Sequence, residues 1–174
     1  MNNHLRLRAI RVVCDAATGQ HPAMGQITVQ TQFGSLVVTQ TGDCITGVGW
    51  GVADSEVPSD LLTHAARQLM EYDRGTRETF DVPLRVEGSP FQRAICDAIY
   101  AIPFGETLTY GDIAKKLGAP AQAVGGACGG NPIPIIIPCH RVMGAKGLTG
   151  FSGAGGVETK VALLRHEKAG GFLI

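Results

Sequence analysis

The chain has little charge, no long apolar run and no paired cysteines, and each absence excludes a class. Lys plus Arg number 15 and Asp plus Glu 15 in 174 residues, so no net charge is available to attract a polyanion wholesale. No stretch approaches the roughly 20 apolar residues that a membrane span requires. The five cysteines (Cys14, Cys44, Cys96, Cys128, Cys139) are odd in number, widely spaced and free of any C-x-x-C pair. That argues against a disulfide framework or a zinc ribbon and fits a reducing cytosol. Cys14 and His21 lack matching partners for a metal site. The start, Met1-Asn2-Asn3-His4-Leu5-Arg6-Leu7-Arg8, is polar and lacks the apolar block of a signal peptide, so a cytoplasmic protein is expected. What is present is an ordinary globular composition, 44% apolar with 24 glycines, long enough for one good core or two small ones.

The charge is unevenly placed. Residues 1–84 carry 6 Lys and Arg against 9 Asp and Glu, a net of −3, and residues 85–174 carry 9 against 6, a net of +3. The second half is the better partner for a polyanion. Runs rich in Val, Ile and Thr at 9–13, 26–31, 36–40 and 44–50, separated by turn residues, predict a small antiparallel sheet. Ser59 then caps a helix through about Tyr72, giving a small α+β unit over residues 1–84. Thr79 to Gly88 reads as an extended link to a second, mostly helical unit over residues 85–174. There Ser89-Pro90 opens a core helix that Pro103-Phe104-Gly105 ends. Thr109 and Asp112 form a capping box for a helix over Tyr110 to Leu117 that Gly118 terminates, and Pro120 begins another through about Cys128, a helix-turn-helix pattern.

That last helix, Ala121-Gln122-Ala123-Val124-Gly125-Gly126-Ala127-Cys128, has almost no large side chains. Glycines in a helix interior cost about 1 kcal/mol each relative to alanine. Such a helix gives up stability for close backbone approach, which suits sugars and phosphates in a minor groove better than base edges in a major one. From Gly144 to Gly156 a glycine-rich loop contains Phe151-Ser152 and can close over a ligand. A final helix from Val157 to about Ala169 places Glu167 in line with its apolar stripe, where a carboxylate needs a buried partner or an exit to solvent.

The chemistry concentrates in Gly129 to Val142. Four isoleucines and three prolines (Pro132, Pro134, Pro138) predict a buried extended segment without full ladder pairing, ending at Cys139-His140-Arg141. A thiolate is the nucleophile and the thiol is not, so a working cysteine needs a base or a positive neighbour. His140 and Arg141 offer both.

Asn131-Pro132-Ile133-Pro134 with Ile137-Pro138-Cys139-His140-Arg141-Val142 resembles the active-site signature of the O6-alkylguanine-DNA alkyltransferases, and the likeness extends from about Leu61 to Glu167. The resemblance implies a ribonuclease H-like first unit and a helix-turn-helix of winged-helix type in the second. It implies a DNA repair protein, acting on double-stranded DNA, that flips an O6-alkylguanine out of the duplex and takes its alkyl group irreversibly onto Cys139, with O4-alkylthymine as a further substrate. In that family a Glu of the last helix holds the histidine, which draws the thiol proton through a bridging water; the matching residues are Glu167 and His140. Tyr110 matches the tyrosine that gives a proton to the departing oxygen and helps rotate the nucleotide, and Asn131 the asparagine that ties the turn before the cysteine. The resemblance puts Tyr110, Gln122, Ala123, Gly125 and Arg141 on DNA, and Phe151, Ser152 and Met143 around the base. It implies a monomer that can cluster along DNA, with no cofactor. No metal is required, because the reaction is a displacement at saturated carbon.

One position departs. The family arginine that fills the gap left by the flipped base is here Gln122, so weaker and less salt-sensitive DNA binding is expected. Two rivals remain at this level: a non-catalytic lesion sensor, against which Cys139 argues, and a cysteine hydrolase, which turnover would distinguish.

Overall fold

The computed structural model describes residues 23–169; the predicted strand at 9–13 and the Cys14–His21 pair lie outside the described residues. Three strands, β1 (Met24–Thr31), β2 (Gly34–Thr41) and β3 (Cys44–Trp50), form an antiparallel sheet in that order. Period-2 alternation turns Leu36 and Val38 inward with Val29, and a bulge in the β2–β3 pairing at Thr39 and Gln40 lets both Ile45 and Val48 join them although they stand three residues apart. Helix α1 (Asp60–Asp73) covers this face with Leu62, Ala65, Ala66, Leu69 and Tyr72. Ser59 caps it by accepting the Leu62 N–H, a contact worth about 1 kcal/mol. Cys44 is disulfide-bonded, a correction to the expectation of a chain without disulfides, while Cys96, Cys128 and Cys139 are free thiols.

The link from Thr79 to Gly88 is not a free tether. Ile45 donates its N–H to Pro83 O and accepts from Arg85 N–H, so Leu84 bridges alongside β3. Val48 N–H donates to Pro132 O at 3.0 Å, which fastens β3 directly to the stretch that leads to Cys139. Helix α2 (Pro90–Tyr100) begins at the Ser89 cap and buries Ile95, Cys96, Ala98 and Ile99.

Helix α3 (Tyr110–Leu117) carries the reciprocal Thr109–Asp112 capping box and ends at Gly118, whose φ of 64° is the left-handed conformation that glycine reaches without a Cβ penalty. Helix α4 (Ala121–Gly129) follows, with Pro120 standing just outside it as the N-cap. Two short strands, β4 (Leu108–Thr109) and β5 (Val142–Met143), pair in parallel. That pairing sets the first residue of α3, Tyr110, next to the end of the cysteine turn. Helix α5 (Val157–His166) stops short of the predicted end because Lys168 turns left-handed at φ 53°, leaving Glu167 as its C-cap.

Among the described residues the architecture is thus mixed α and β, one three-stranded antiparallel sheet with five α-helices. A single apolar cluster runs from Val29 and Leu36 through Leu69 and Ile99 to Ile133, Val142 and Leu163, across the boundary drawn at residues 84 and 85. No helix among the described residues is long and apolar enough to cross a membrane.

Candidate active site

The segment before Cys139 is a chain of turns, which corrects the extended reading. Ile137 N–H donates to Ile133 O and Cys139 N–H to Ile137 O, each at 2.8 Å, and Cys139–Arg141 forms one 3₁₀ turn closed by Arg141 N–H on Pro138 O at 2.9 Å. Three prolines remove the donors that a ladder would need, so the remaining amides pair locally. Ile135 sits at φ 70°, a strained conformation for a β-branched residue that the surroundings must enforce. Asn131 enforces it from one side: its Nδ2 donates to Ile137 O at 2.8 Å and its Oδ1 accepts Ile133 N–H at 3.0 Å.

This turn delivers His140 and Arg141 inward, onto one carboxylate. Glu167 Oε1 accepts from His140 Nε2 at 2.6 Å, from the Tyr72 hydroxyl at 2.7 Å and from Arg141 Nη2 at 3.0 Å; Oε2 accepts from Arg141 Nε at 2.8 Å. Every member is buried, Glu167 at 2% exposure and His140 at 0%. Burial would raise the Glu167 carboxyl, but the hydrogen bonds from His140 and Arg141 and the guanidinium charge outweigh it and hold the group well below the usual carboxylate range. An ionised carboxylate only accepts, so His140 Nε2 must carry the proton. Arg141 already neutralises Glu167. Burial therefore prevails at His140 and lowers its pKa, so the imidazole is neutral near pH 7. Its Nδ1 is a bare acceptor, buried and without a hydrogen-bond partner.

Cys139, 4% exposed, is raised first by burial and lowered by Asn131, by Lys160 and by its own and the His140 backbone N–H groups. At rest this is a thiol beside a neutral imidazole. The other two free thiols have less help: burial pushes Cys96 up to about 11 and Cys128 up to about 12. Of the three, Cys139 alone has an imidazole as its neighbour in the chain.

Arg141, placed on DNA by the resemblance, is held inside the protein. Beyond its two bonds to Glu167, its Nη1 donates to Ile102 O at 2.6 Å, and only 6% of the residue is exposed. Met143, expected at the base, packs with Leu164 and Ala169 in a separate small cluster. Tyr110 is half-buried and its oxygen accepts the Thr149 hydroxyl at 3.2 Å, which leaves the phenolic hydrogen free to be donated. Burial raises its pKa, so it stays a proton donor at neutral pH. Gln122 and Ala123 are exposed on the first turn of α4, and Gly125 is half-buried. Phe151 is half-buried and Ser152 exposed on the loop after β5.

Two contributors escaped sequence reasoning. Tyr72 reaches Glu167 from a residue 95 positions away, and its only signal was a hydroxyl on an apolar helix face, which must find a partner when buried. Lys160, 1% exposed, donates from Nζ to Val142 O at 2.6 Å, bracing the strand that leaves the cysteine turn. A lysine beside the apolar stripe of α5 was the corresponding hint. A cavity of about 270 Å³ is lined by Phe80, Tyr100, Phe104, Pro138 and Arg141 among others, but not by Cys139, Tyr110 or Phe151, so it is separate from the thiol's surroundings.

Residues 90–169 match the family model described as 6-O-methylguanine DNA methyltransferase, DNA binding domain. The chain is similar to a methylated-DNA–protein-cysteine methyltransferase of Methanosarcina acetivorans, 48% identical over 120 residues that span 67% of this chain and 76% of that one. It is also similar to the constitutive methylated-DNA–protein-cysteine methyltransferase of Bacillus subtilis, 38% identical over 157 residues, 81% of this chain and 93% of that one. In three dimensions it resembles Mycobacterium tuberculosis OGT solved in complex with DNA, with a TM-score of 0.74 and 41% identity over 85% of this chain and 96% of that one.

Proposed function

The chain belongs to the methylated-DNA–protein-cysteine methyltransferase family, and on that footing we propose that it repairs duplex DNA by moving an alkyl group from O6 of guanine onto its own Cys139. The observation that carries this reading is the buried relay in which Glu167 holds His140 with Nδ1 bare, one residue from the thiol. The Sγ proton passes to Nδ1 through one water. Sulfur then attacks the alkyl carbon, the carbon–O6 bond breaks, and the electron pair leaves with O6, where Tyr110 supplies a proton. Glu167 stabilises the imidazolium as it forms, and Asn131 stabilises the thiolate. The product thioether is not reversed, so one protein removes one lesion. Counting O6-methylguanine lost against protein added tests this: one equivalent is expected, whereas many equivalents would indicate a hydrolase and none a sensor.

Reaching a base inside the duplex requires flipping it out, at a cost of a few kcal/mol. We assign this to α3 and α4, entering the minor groove as the helix-turn-helix of a winged-helix unit over residues 85–174, with the ribonuclease H-like residues 1–84 supporting it. Phe151 and Ser152 line the flipped base. O4-alkylthymine as a second substrate, action as a monomer that clusters on DNA, and a cytoplasmic location belong to the same proposal.

The glycines of α4 support it physically. A Cβ added at Gly125, Gly126 or Gly129 would meet no atom within 4 Å, so internal packing does not require their smallness. Gly126→Ala is therefore expected to stabilise the fold by up to about 1 kcal/mol and to weaken duplex binding. A thermal melt beside a binding titration checks both; a stabilised variant with unchanged affinity would remove α4 from the interface. Gln122→Arg is expected to tighten binding and to steepen the salt dependence by about one unit of log–log slope. If neither changes, the weaker and less salt-sensitive binding attributed to Gln122 is wrong.

A further inference from the structure

We propose that Trp50 is a positioning residue for this reaction: it is the stop against which the loop over Cys139 closes, and through Phe151 it sets how bulky an O6-alkyl group the closed site admits. The inference rests on the reading above that Phe151 and Ser152 line the base.

Trp50, the chain's single tryptophan, ends β3, and its Nε1 donates to Phe33 O at 2.9 Å, which pins the indole to the β1–β2 turn. Phe151 meets that indole edge-on, at 5.7 Å between centroids and 86° between planes. Two glycines from distant segments make the fit possible. A Cβ on Gly34, where φ is 109°, would approach Trp50 Cδ1 to 3.2 Å, and one on Gly153 would come within 2.7 Å of Trp50 Cη2 and collide with Phe151 as well. The loop's other attachment is the Thr149 hydroxyl on Tyr110. Its base is pinched by the mutual hydrogen bonds of Gly144 and Gly147. The span is thus held at Tyr110 on one side and at Trp50 on the other, both on regular elements of the fold.

A methyl group asks little of the space under such a span. A benzyl group must lift it, and lifting separates Phe151 from Trp50. Removing the stop therefore has opposite effects on the two substrates: the closed arrangement that suits methyl is populated less, and the penalty against benzyl disappears.

The test measures single-turnover transfer from duplexes bearing O6-methylguanine or O6-benzylguanine, for the wild type, Trp50→Ala and Gly153→Ala. The methyl-to-benzyl rate ratio is expected to fall by about 2–12-fold in Trp50→Ala, the range an edge-to-face aromatic pair can supply. Gly153→Ala, which keeps the indole and props the loop open from the other side, is expected to lower the ratio in the same direction. With Cys139→Ala as the trap, the benzyl duplex should move Trp50 emission to longer wavelength than the methyl duplex does, because the indole loses its aromatic cover. An unchanged ratio in both variants, or identical emission with both duplexes, overturns the role of Trp50. A wild type that transfers neither group overturns the Cys139 reading itself.

Discussion

Glu167→Gln is expected to slow transfer by about 10²–10⁴-fold, the usual contribution of an acid–base relay, and to destabilise the fold by about 3–5 kcal/mol. The carboxylate accepts from His140, Tyr72 and twice from Arg141, all buried. An amide would turn a donor toward a donor and leave the Arg141 guanidinium uncompensated in the interior. It would also withdraw the negative charge that stabilises the imidazolium. Single-turnover rates and denaturant melts of the two proteins measure both effects. A variant as fast as the wild type would show that the relay is structural only.

The same network fixes the sign of the pH dependence. Glu167 has a folded pKa below its unfolded value, so its contribution is present above about pH 4.3, the ordinary glutamate value, and is lost as the pH falls through the depressed folded value. His140, buried neutral, is depressed as well, so the unfolded chain binds its proton first and stability begins to drop below about pH 6.5. Both groups act in one direction, toward acid lability. Glu167→Gln should lack the lower of the two steps.

Cys139→Ala is expected to abolish transfer completely while lesion-bearing duplex still binds. Cys128 stands close enough for its thiol to face Cys139 O at 3.9 Å, yet burial pushes it up to about 12 and no imidazole serves it. Proximity without activation should give no rescue. Transfer onto Cys128 or Cys96 in this variant would show that position under the pocket suffices, and the role assigned to His140 and Glu167 would fall.

What the sequence made legible is local. Ser59, Ser89 and the Thr109–Asp112 box announce their helices because a cap acts within three residues, and Gly118 announces an end for the same reason. The Pro-Cys-His-Arg stretch marks the nucleophile because its residue types stand side by side. The conformation of that stretch was not legible. Prolines and isoleucines read as extended, whereas the turns depend on Asn131 reaching both Ile133 and Ile137. The partner of Arg141 was not legible either, because Glu167 lies 26 residues on. Tyr72 was missed for the same reason over a longer interval. Pairings between distant positions leave only an unpaired polar group on an apolar face as their trace, and Glu167 was the one such trace that was read.

The most direct measurement is the mass of the protein and of its Cys139 peptide after mixing with an excess of duplex carrying O6-methylguanine. The relay predicts one methyl group per molecule, on Cys139, and no further lesion removed once it is there. Lesions removed in excess of protein, or a methyl group found on any other residue, would contradict it.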